Sequence, residues 1–292
     1  MPAEPDLAPF RAEIDRIDDR ILDLLVERFA VVARIAAAKA GQRASLALRP
    51  AREAAILRRL VARADGRIPT GTLVRTWREL LAASTRLQTP LALAVWAPAG
   101  RERVWDLARD QFGSATPAER ATDPRRALRR VASGEAQIAV LPLPEEGEDW
   151  WTDLLEPPGD ALCAIGRLPF VAEGGCEALA FAALDPEPSG DDRSLFVLET
   201  EGAISRAGLL LALEQARLFP RPLASLARDG RTRHLVELSG WFARGEQRLE
   251  ARVPALRGQL LRALAIGAYP SPLSGEGAGA GAQMPPFALA SE

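Results

Sequence analysis

From Leu7 onward, apolar residues recur at alternating steps of three and four: Leu7, Phe10, Ile14, Ile17, Ile21 and Leu24, then Val31 and Ile35. A seam with this spacing runs along one side of an α-helix and needs another helix to cover it. Asp6 is suited to cap the start and Gly41 to stop the end, so the spacing predicts about 34 residues of helix, roughly 50 Å long. Ninety residues packed as a globule have a radius of gyration of about 12 Å. Such a rod projects beyond its own unit, and the expectation is an intertwined homodimer.

Pro50 fits the first turn of a second helix running to about Ala64. Gly66 and Pro69 break the chain before a third, from Thr70 to about Gln88, which Thr89 and Pro90 end. Residues 1–90 are therefore expected to be an all-α, three-helix unit. Beyond Pro90 the pattern becomes short apolar runs between helical stretches: Leu91 to Trp96, Val104 to Phe112 and Ile138 to Leu141. Residues 91–190 read as an α/β lobe, closed by a loop rich in Asp, Pro and Gly from Asp185 to Asp192. In 191–270, Ser194 to Glu199 is strand-like and Ala207 to Leu218 helical. Leu223 to Ala227 and Leu235 to Leu238 follow as strands, Arg252 to Arg262 as a helix, and Leu264 to Gly267 as a last strand. That β-α-β-β-α-β order is ferredoxin-like α+β. Residues 271–292 are expected to be a disordered tail of low complexity. Its Gly275-Glu276-Gly277-Ala278-Gly279 stretch has neither the preceding strand nor the following helix of a phosphate loop.

Charge and composition exclude several classes. With 37 basic and 39 acidic residues and a formal net charge of -2, no positive stripe for nucleic acid or anionic lipid is expected. The opening MPAEPDLAPF has no basic stretch followed by an apolar one, and no 18-residue apolar run occurs, so neither export nor a membrane span is expected and the cytoplasm is the expected location. Cys163, Cys176 and His234 are the only residues of their types, which leaves no zinc site of ordinary ligand spacing and no metal is expected. Lys39 is the only lysine among the 37 basic residues. Lysine is a compact rotatable charge and arginine a rigid planar fork, so the two do not substitute freely for each other.

Arg28 falls on the first helix's seam, where an aliphatic residue is expected after Leu24. A buried arginine needs a partner, either a carboxylate across a dimer or a carboxylate on a ligand. Eleven residues separate Arg28 from Lys39, so both project from one face about 16 Å apart along the axis. Two long side chains leaning inward can enclose a molecule of roughly benzoate size. Arg11 points about 100° away and reaches such a pocket only in an antiparallel partner.

The segments read Leu7-Ala-Pro-Phe-Arg11-Ala-Glu-Ile14-Asp15-Arg-Ile17-Asp18, Leu24-Leu25-Val-Glu27-Arg28, Lys39, Arg49-Pro50-Ala-Arg52-Glu53 and Ser84-Thr-Arg-Leu-Gln88. Across all three helices this resembles the helical chorismate mutase domain found alone or fused to prephenate dehydratase. The resemblance implies conversion of chorismate to prephenate in phenylalanine and tyrosine biosynthesis. It also implies roles. Arg28, with Arg11 of the other subunit, would bind the two carboxylates; Lys39 and Gln88 would hydrogen-bond the ether oxygen; Glu53 would hold the ring hydroxyl; Arg52 and Ser84 would support a carboxylate. Arg49 stands where many members have an aspartate near that hydroxyl. The reaction is a unimolecular pericyclic rearrangement, so no cofactor is expected.

Further along, Ser133-Gly134-Glu-Ala-Gln-Ile-Ala-Val-Leu141-Pro142 resembles the first lobe of prephenate dehydratase. Asp191 to Leu198, Gly202-Ala203-Ile204 and Leu264 to Pro270 resemble its phenylalanine-sensing ACT domain. The stretch between the helical and ACT-like parts is too short for two lobes. The dehydratase Thr-Arg-Phe falls near Ala178-Leu179-Ala180-Phe181, which keeps the phenylalanine and loses the threonine. A bifunctional mutase and dehydratase is the competing reading, and dehydratase activity is not expected. Phenylalanine binding is expected to be weak or absent, because the family's Glu-Ser-Arg-Pro appears as Ala224-Ser225-Leu226-Ala227.

Overall fold

The computed structural model describes residues 6–39, 46–157, 159–172, 174–201, 204–228, 230–245 and 249–274. Helix α1 spans Ala8–Lys39, and the Asp6 carboxylate accepts a hydrogen bond from the Ala8 N–H at 3.0 Å. Gly41, the expected stop, lies outside the described residues. Helix α2, Pro50–Ala64, carries proline in its first turn and ends where Asp65 turns left-handed, its N–H donating to the Val61 carbonyl. Helix α3, Thr70–Gln88, starts after Pro69 and ends at the extended Thr89. Along α1 the seam lies open in the single chain. Phe10 and Leu24 are each 63% exposed, and Ile14, Ile17, Ile21 and Ile35 are exposed as well.

Among the described residues, the rest of the chain builds a nine-stranded mixed sheet in the order β2-β1-β3-β5-β4-β9-β6-β8-β7. Its strands are β1 Leu93–Val95, β2 Ala118–Arg120, β3 Ile138–Pro142, β4 Cys163–Leu168, β5 Ala178–Ala182, β6 Asp192–Glu201, β7 Arg221–Arg228, β8 Arg231–Ser239 and β9 Leu260–Pro270. Helices α4 (Arg103–Phe112) and α5 (Pro124–Ala132) cover the first part, and α6 (Arg206–Gln215) and α7 (Leu249–Arg252) the second. Strands β2, β1 and β3 are parallel, β5 runs antiparallel between β3 and β4, and β9-β6-β8-β7 are antiparallel. The two parts join through β4 and β9, which pair in parallel at Ala164 and Gly267. A Cβ on Gly267 would lie 2.4 Å from both the N and the O of Ala164, so only glycine lets the two backbones approach this closely.

Helices α2 and α3 dock on the sheet region. Ala54, Leu57 and Val74 share a core with Phe170 and Val171. Arg58 adds a polar clamp, donating to the Ser189 Oγ at 3.0 Å and to the carbonyls of Ser189, Asp191 and Ser271 at 3.3, 2.7 and 3.2 Å. The close approach of α3 to the end of α4 requires Gly113, where a Cβ would sit 2.6 Å from that of Ala82.

Three expectations need correction. The helix expected over Arg252–Arg262 stops at Arg252, because Pro254 has no N–H and disfavours helical geometry at Val253. The last strand runs from Leu260 to Pro270 rather than Leu264 to Gly267, since β6 pairs with it along most of that length. The segment from Ser271 begins ordered: the Leu273 N–H donates to the Phe170 carbonyl at 2.7 Å, and its carbonyl accepts from Ala172 at 2.9 Å. The Gly275–Gly279 stretch lies outside the described residues. Among the described residues no helix is long and apolar enough to cross a membrane.

Two outcomes follow for stability. Gly267→Ala should destabilise the fold by about 1–3 kcal/mol through overpacking against the Ala164 backbone, measured by denaturant unfolding. His234 is buried, with Nδ1 2.9 Å from the Ser225 Oγ and Nε2 3.5 Å from the Thr200 Oγ1. Burial, reinforced by the charge of Arg206, lowers its pKa below 6.5. A depressed folded pKa gives stability that is complete above the unfolded value and is lost as pH falls through the folded one. The melting temperature should drop on acidification below about pH 6.5, and His234→Gln should flatten that drop in calorimetric scans.

Candidate active site

Arg28 leaves the exposed seam and turns toward α3. Its Nη1 donates to the Ser84 Oγ at 2.7 Å and lies 3.5 Å from the Leu80 carbonyl, which also accepts from the Ser84 hydroxyl at 2.6 Å. One turn on, the Gln88 amide nitrogen donates to the Ser84 carbonyl at 3.0 Å. Partial burial lowers the Arg28 pKa from its usual value, and its guanidinium stands 5.6 Å from the Phe29 ring centroid. The fold therefore brings Arg28, Ser84 and Gln88 together from two helices. The guanidinium has five N–H donors and the carboxamide two, so both retain donors beyond these contacts.

The remaining expected site residues are spread wider. Arg11 and Lys39 lie exposed near opposite ends of α1. Arg52 is exposed on the first turn of α2. Arg49 is exposed and pairs with Glu187 at 2.6 Å, outside the helical unit. Glu53 is buried, its Oε2 accepting from the Arg78 Nη1 at 2.7 Å. At 100° per residue, Arg78 and Ser84 lie about 120° apart around α3, so these two side chains leave that helix on different sides.

Arg78 is absent from the sequence-level set. It interrupts the buried stripe of Val74 and Leu81, just as Arg28 interrupts the seam of α1. The same signal of an arginine at an apolar position finds both. Its guanidinium stacks 4.9 Å from the Phe170 ring centroid. The Gln111 carboxamide, with its oxygen turned inward, accepts from Nη1 and Nη2 at 3.1 Å. Burial pushes the Glu53 carboxyl upward and the Arg78 charge opposes that push; burial likewise lowers Arg78 while Glu53 opposes it.

A second polar cluster lies in the sheet. The fully buried Glu237 accepts from the Arg167 Nη1 with both oxygens at 3.0 Å and from the Tyr269 hydroxyl at 2.9 Å, with Arg193 at 3.6 Å. It borders a cavity of about 500 Å³ also lined by Arg221 and Phe219. Burial beside Glu237 raises the Tyr269 pKa well above its usual value. Among the described residues no group of three His, Cys, Asp or Glu side chains could hold a metal ion.

Residues 10–89 match the family model for chorismate mutase type II. The bifunctional chorismate mutase/prephenate dehydratase of Pseudomonas aeruginosa is 28% identical over 152 residues, covering 51% of this chain and 41% of the relative. Its counterpart from Neisseria gonorrhoeae is 30% identical over 142 residues, covering 49% and 38%. The chain thus spans about two fifths of the length of the curated relatives it matches. Among solved structures, GqqA, described as a novel type of quorum quenching acylase, aligns with a TM-score of 0.46 at 18% identity, over 62% of this chain and 95% of its own. A prephenate dehydratase from Arthrobacter aurescens in complex with L-Phe aligns with a TM-score of 0.41 at 13% identity, over 62% and 90%. The chain carries an N-terminal chorismate mutase type II domain, residues 10–89, ahead of a mixed nine-stranded sheet.

Proposed function

We propose that this protein rearranges chorismate to prephenate in a site shared between two copies of the chain. The observation that carries this reading is the Arg28–Ser84–Gln88 cluster, built by α1 and α3 within the segment that matches the mutase family. Such a rearrangement needs no nucleophile. It needs the extended substrate folded into a chair-like conformer, and donors aimed at the ether oxygen where negative charge builds as the bond breaks.

Arg28 supplies the remaining N–H groups of its fork to one carboxylate, with Arg11 of the second copy on the other. Ser84 fixes the Arg28 fork, and Arg52 supports a carboxylate from α2. Gln88 and Lys39 donate to the ether oxygen, and Glu53 accepts from the ring hydroxyl through the oxygen that Arg78 leaves unused. A million-fold acceleration corresponds to about 8 kcal/mol, which a few charge-assisted hydrogen bonds of roughly 1.5–3 kcal/mol supply if they strengthen in the transition state. A second copy covers the open seam of α1, giving the homodimer that the exposure of Phe10, Ile14, Ile17, Ile21 and Leu24 calls for.

We read the sheet as a lobe and an ACT-like unit. The order β6-α6-β7-β8-α7-β9 with strands arranged β9-β6-β8-β7 supports the second part. The reading does not extend to dehydration of prephenate: Ala178–Phe181 is a buried strand flanked on both sides by β3 and β4. Ser225 of the Ala224–Ala227 stretch is engaged with His234, which supports weak or absent phenylalanine binding. Gly202 and Ala203 lie outside the described residues.

Purified protein should consume chorismate, and Lys39→Ala should lower kcat by orders of magnitude while leaving the fold intact, because an ether-oxygen contact acts mainly in the transition state. Unchanged turnover in that variant would remove the assignment. Sharing is tested separately. Arg11 and Lys39 stand about 42 Å apart on one helix, so a single chain cannot close both around one small molecule. Arg11→Ala and Lys39→Ala should each be nearly inactive alone. Refolded as an equal mixture, about half the dimers are mixed and each holds one intact site, so activity should recover to roughly a quarter of wild type per chain. Recovery no greater than the average of the two mutants rules out the shared site.

A further inference from the structure

We propose that Arg78 is a positioning residue for the rearrangement and that the sheet region provides its seat: Phe170 and Gln111 hold Arg78, and Arg78 holds Glu53. The proposal rests on the mutase reading above, in which Glu53 meets the ring hydroxyl.

An arginine that is 4% exposed needs partners for its guanidinium donors, and an unpaired buried charge is not tolerated. The partners of Arg78 come from three elements. Glu53 belongs to α2, Gln111 to α4, and Phe170 to the segment after β4. Two of the three therefore lie outside residues 10–89. A helical unit ending at Gln88 would leave the arginine facing water on that side, and a solvated arginine screens a carboxylate far less strongly than a buried one does. Phe170 also belongs to the core formed by Ala54, Leu57 and Val74, so its ring is fixed by the same packing that docks α2 and α3.

The geometry leaves Glu53 half free. Arg78 engages Oε2 alone, and a carboxylate has two oxygens, so Oε1 can accept from a hydroxyl while the ion pair sets its direction. Burial favours the neutral form of Glu53, which could not accept in the same way, and the adjacent guanidinium counters it. The other charged groups around Arg78 line a small cavity of about 40 Å³: Arg75, bound to Asp110 at 3.0 Å, and Arg103, which has partners of its own. The sheet region thus acts on the mutase site without contacting substrate.

The test uses the full chain and follows chorismate loss between about pH 5 and 9, where the acid limb of kcat/KM reports ionisation of a group in the free enzyme. Arg78→Gln should move that limb upward by a unit or more, seen as a loss of about tenfold in acidic solution that recovers as pH rises. Arg78→Lys, which keeps the charge but not the fork, should move the limb less than Arg78→Gln does. Phe170→Leu should move the limb in the same direction with a loss of about threefold. Circular dichroism and cooperative unfolding establish that each variant is folded. A folded Arg78→Gln with an unmoved limb overturns the proposal, as does an Arg78→Lys profile matching that of Arg78→Gln. If Arg78→Gln does not fold, Phe170→Leu decides, and an unmoved limb there overturns it. Wild-type protein that leaves chorismate intact would remove the mutase reading and this proposal together. Active wild type with unmoved limbs would remove this proposal alone.

Discussion

The chain is organised around a buried cation. Arg78 projects from α3 to meet α2, α4 and the segment after β4, and its charge must be matched by Glu53 and by the polar and aromatic groups around it. Removing one member of such a pair costs about 3–5 kcal/mol, because the other is left charged in a poorly solvated place. That requirement fixes how α2 and α3 meet, and how both meet Phe170. Arg58, one turn beyond Ala54 on α2, fastens the same interface by satisfying carbonyls of the loop before β6 and of Ser271 after β9. The helical unit and the sheet are joined through a shared core and shared hydrogen bonds rather than through a linker alone.

The three helices were legible because their signals are local. Pro50, Gly66, Pro69 and the alternation of three and four from Leu7 are each read within a turn or two, and the boundaries of α2 and α3 follow from them. The sheet was harder. Strand β5 reads Ala-Leu-Ala-Phe-Ala, whose alanines have little intrinsic strand preference, and it exists because β3 and β4 pair with it on either side. Helix α5 does carry a local signal, Asp123 capping the Arg126 N–H ahead of Pro124, which the apolar runs alone did not bring out. Strand β9 extends beyond its local apolar signal for the same reason that β5 exists: pairing over long sequence separation sets its ends.

The site divides in the same way. Arg28 stood out because a charge on an apolar seam demands a partner, and α3 provides one. Ser84 and Gln88 share a face by helical spacing alone. Arg78 meets the same criterion as Arg28, but its setting comes from Gln111 of α4 and Phe170 after β4, beyond the three helices whose spacing can be read locally. Arg11 and Lys39 are exposed in the single chain, and the proposed reading gives them a setting through a second copy, which no spacing within one helix supplies.

Arginine dominates the basic residues of this chain, and where it leaves solvent it pairs with carboxylates, as Arg78 does with Glu53 and Arg167 with Glu237. Lysine occurs once, exposed on the last turn of α1. Apart from a terminal amine, the folded protein therefore offers one alkyl amine per chain to an acylating reagent. Amine acylation becomes a direct probe of that helix end: the extent of labelling counts open Lys39 positions, and protection by an added anion reports that something has settled over it.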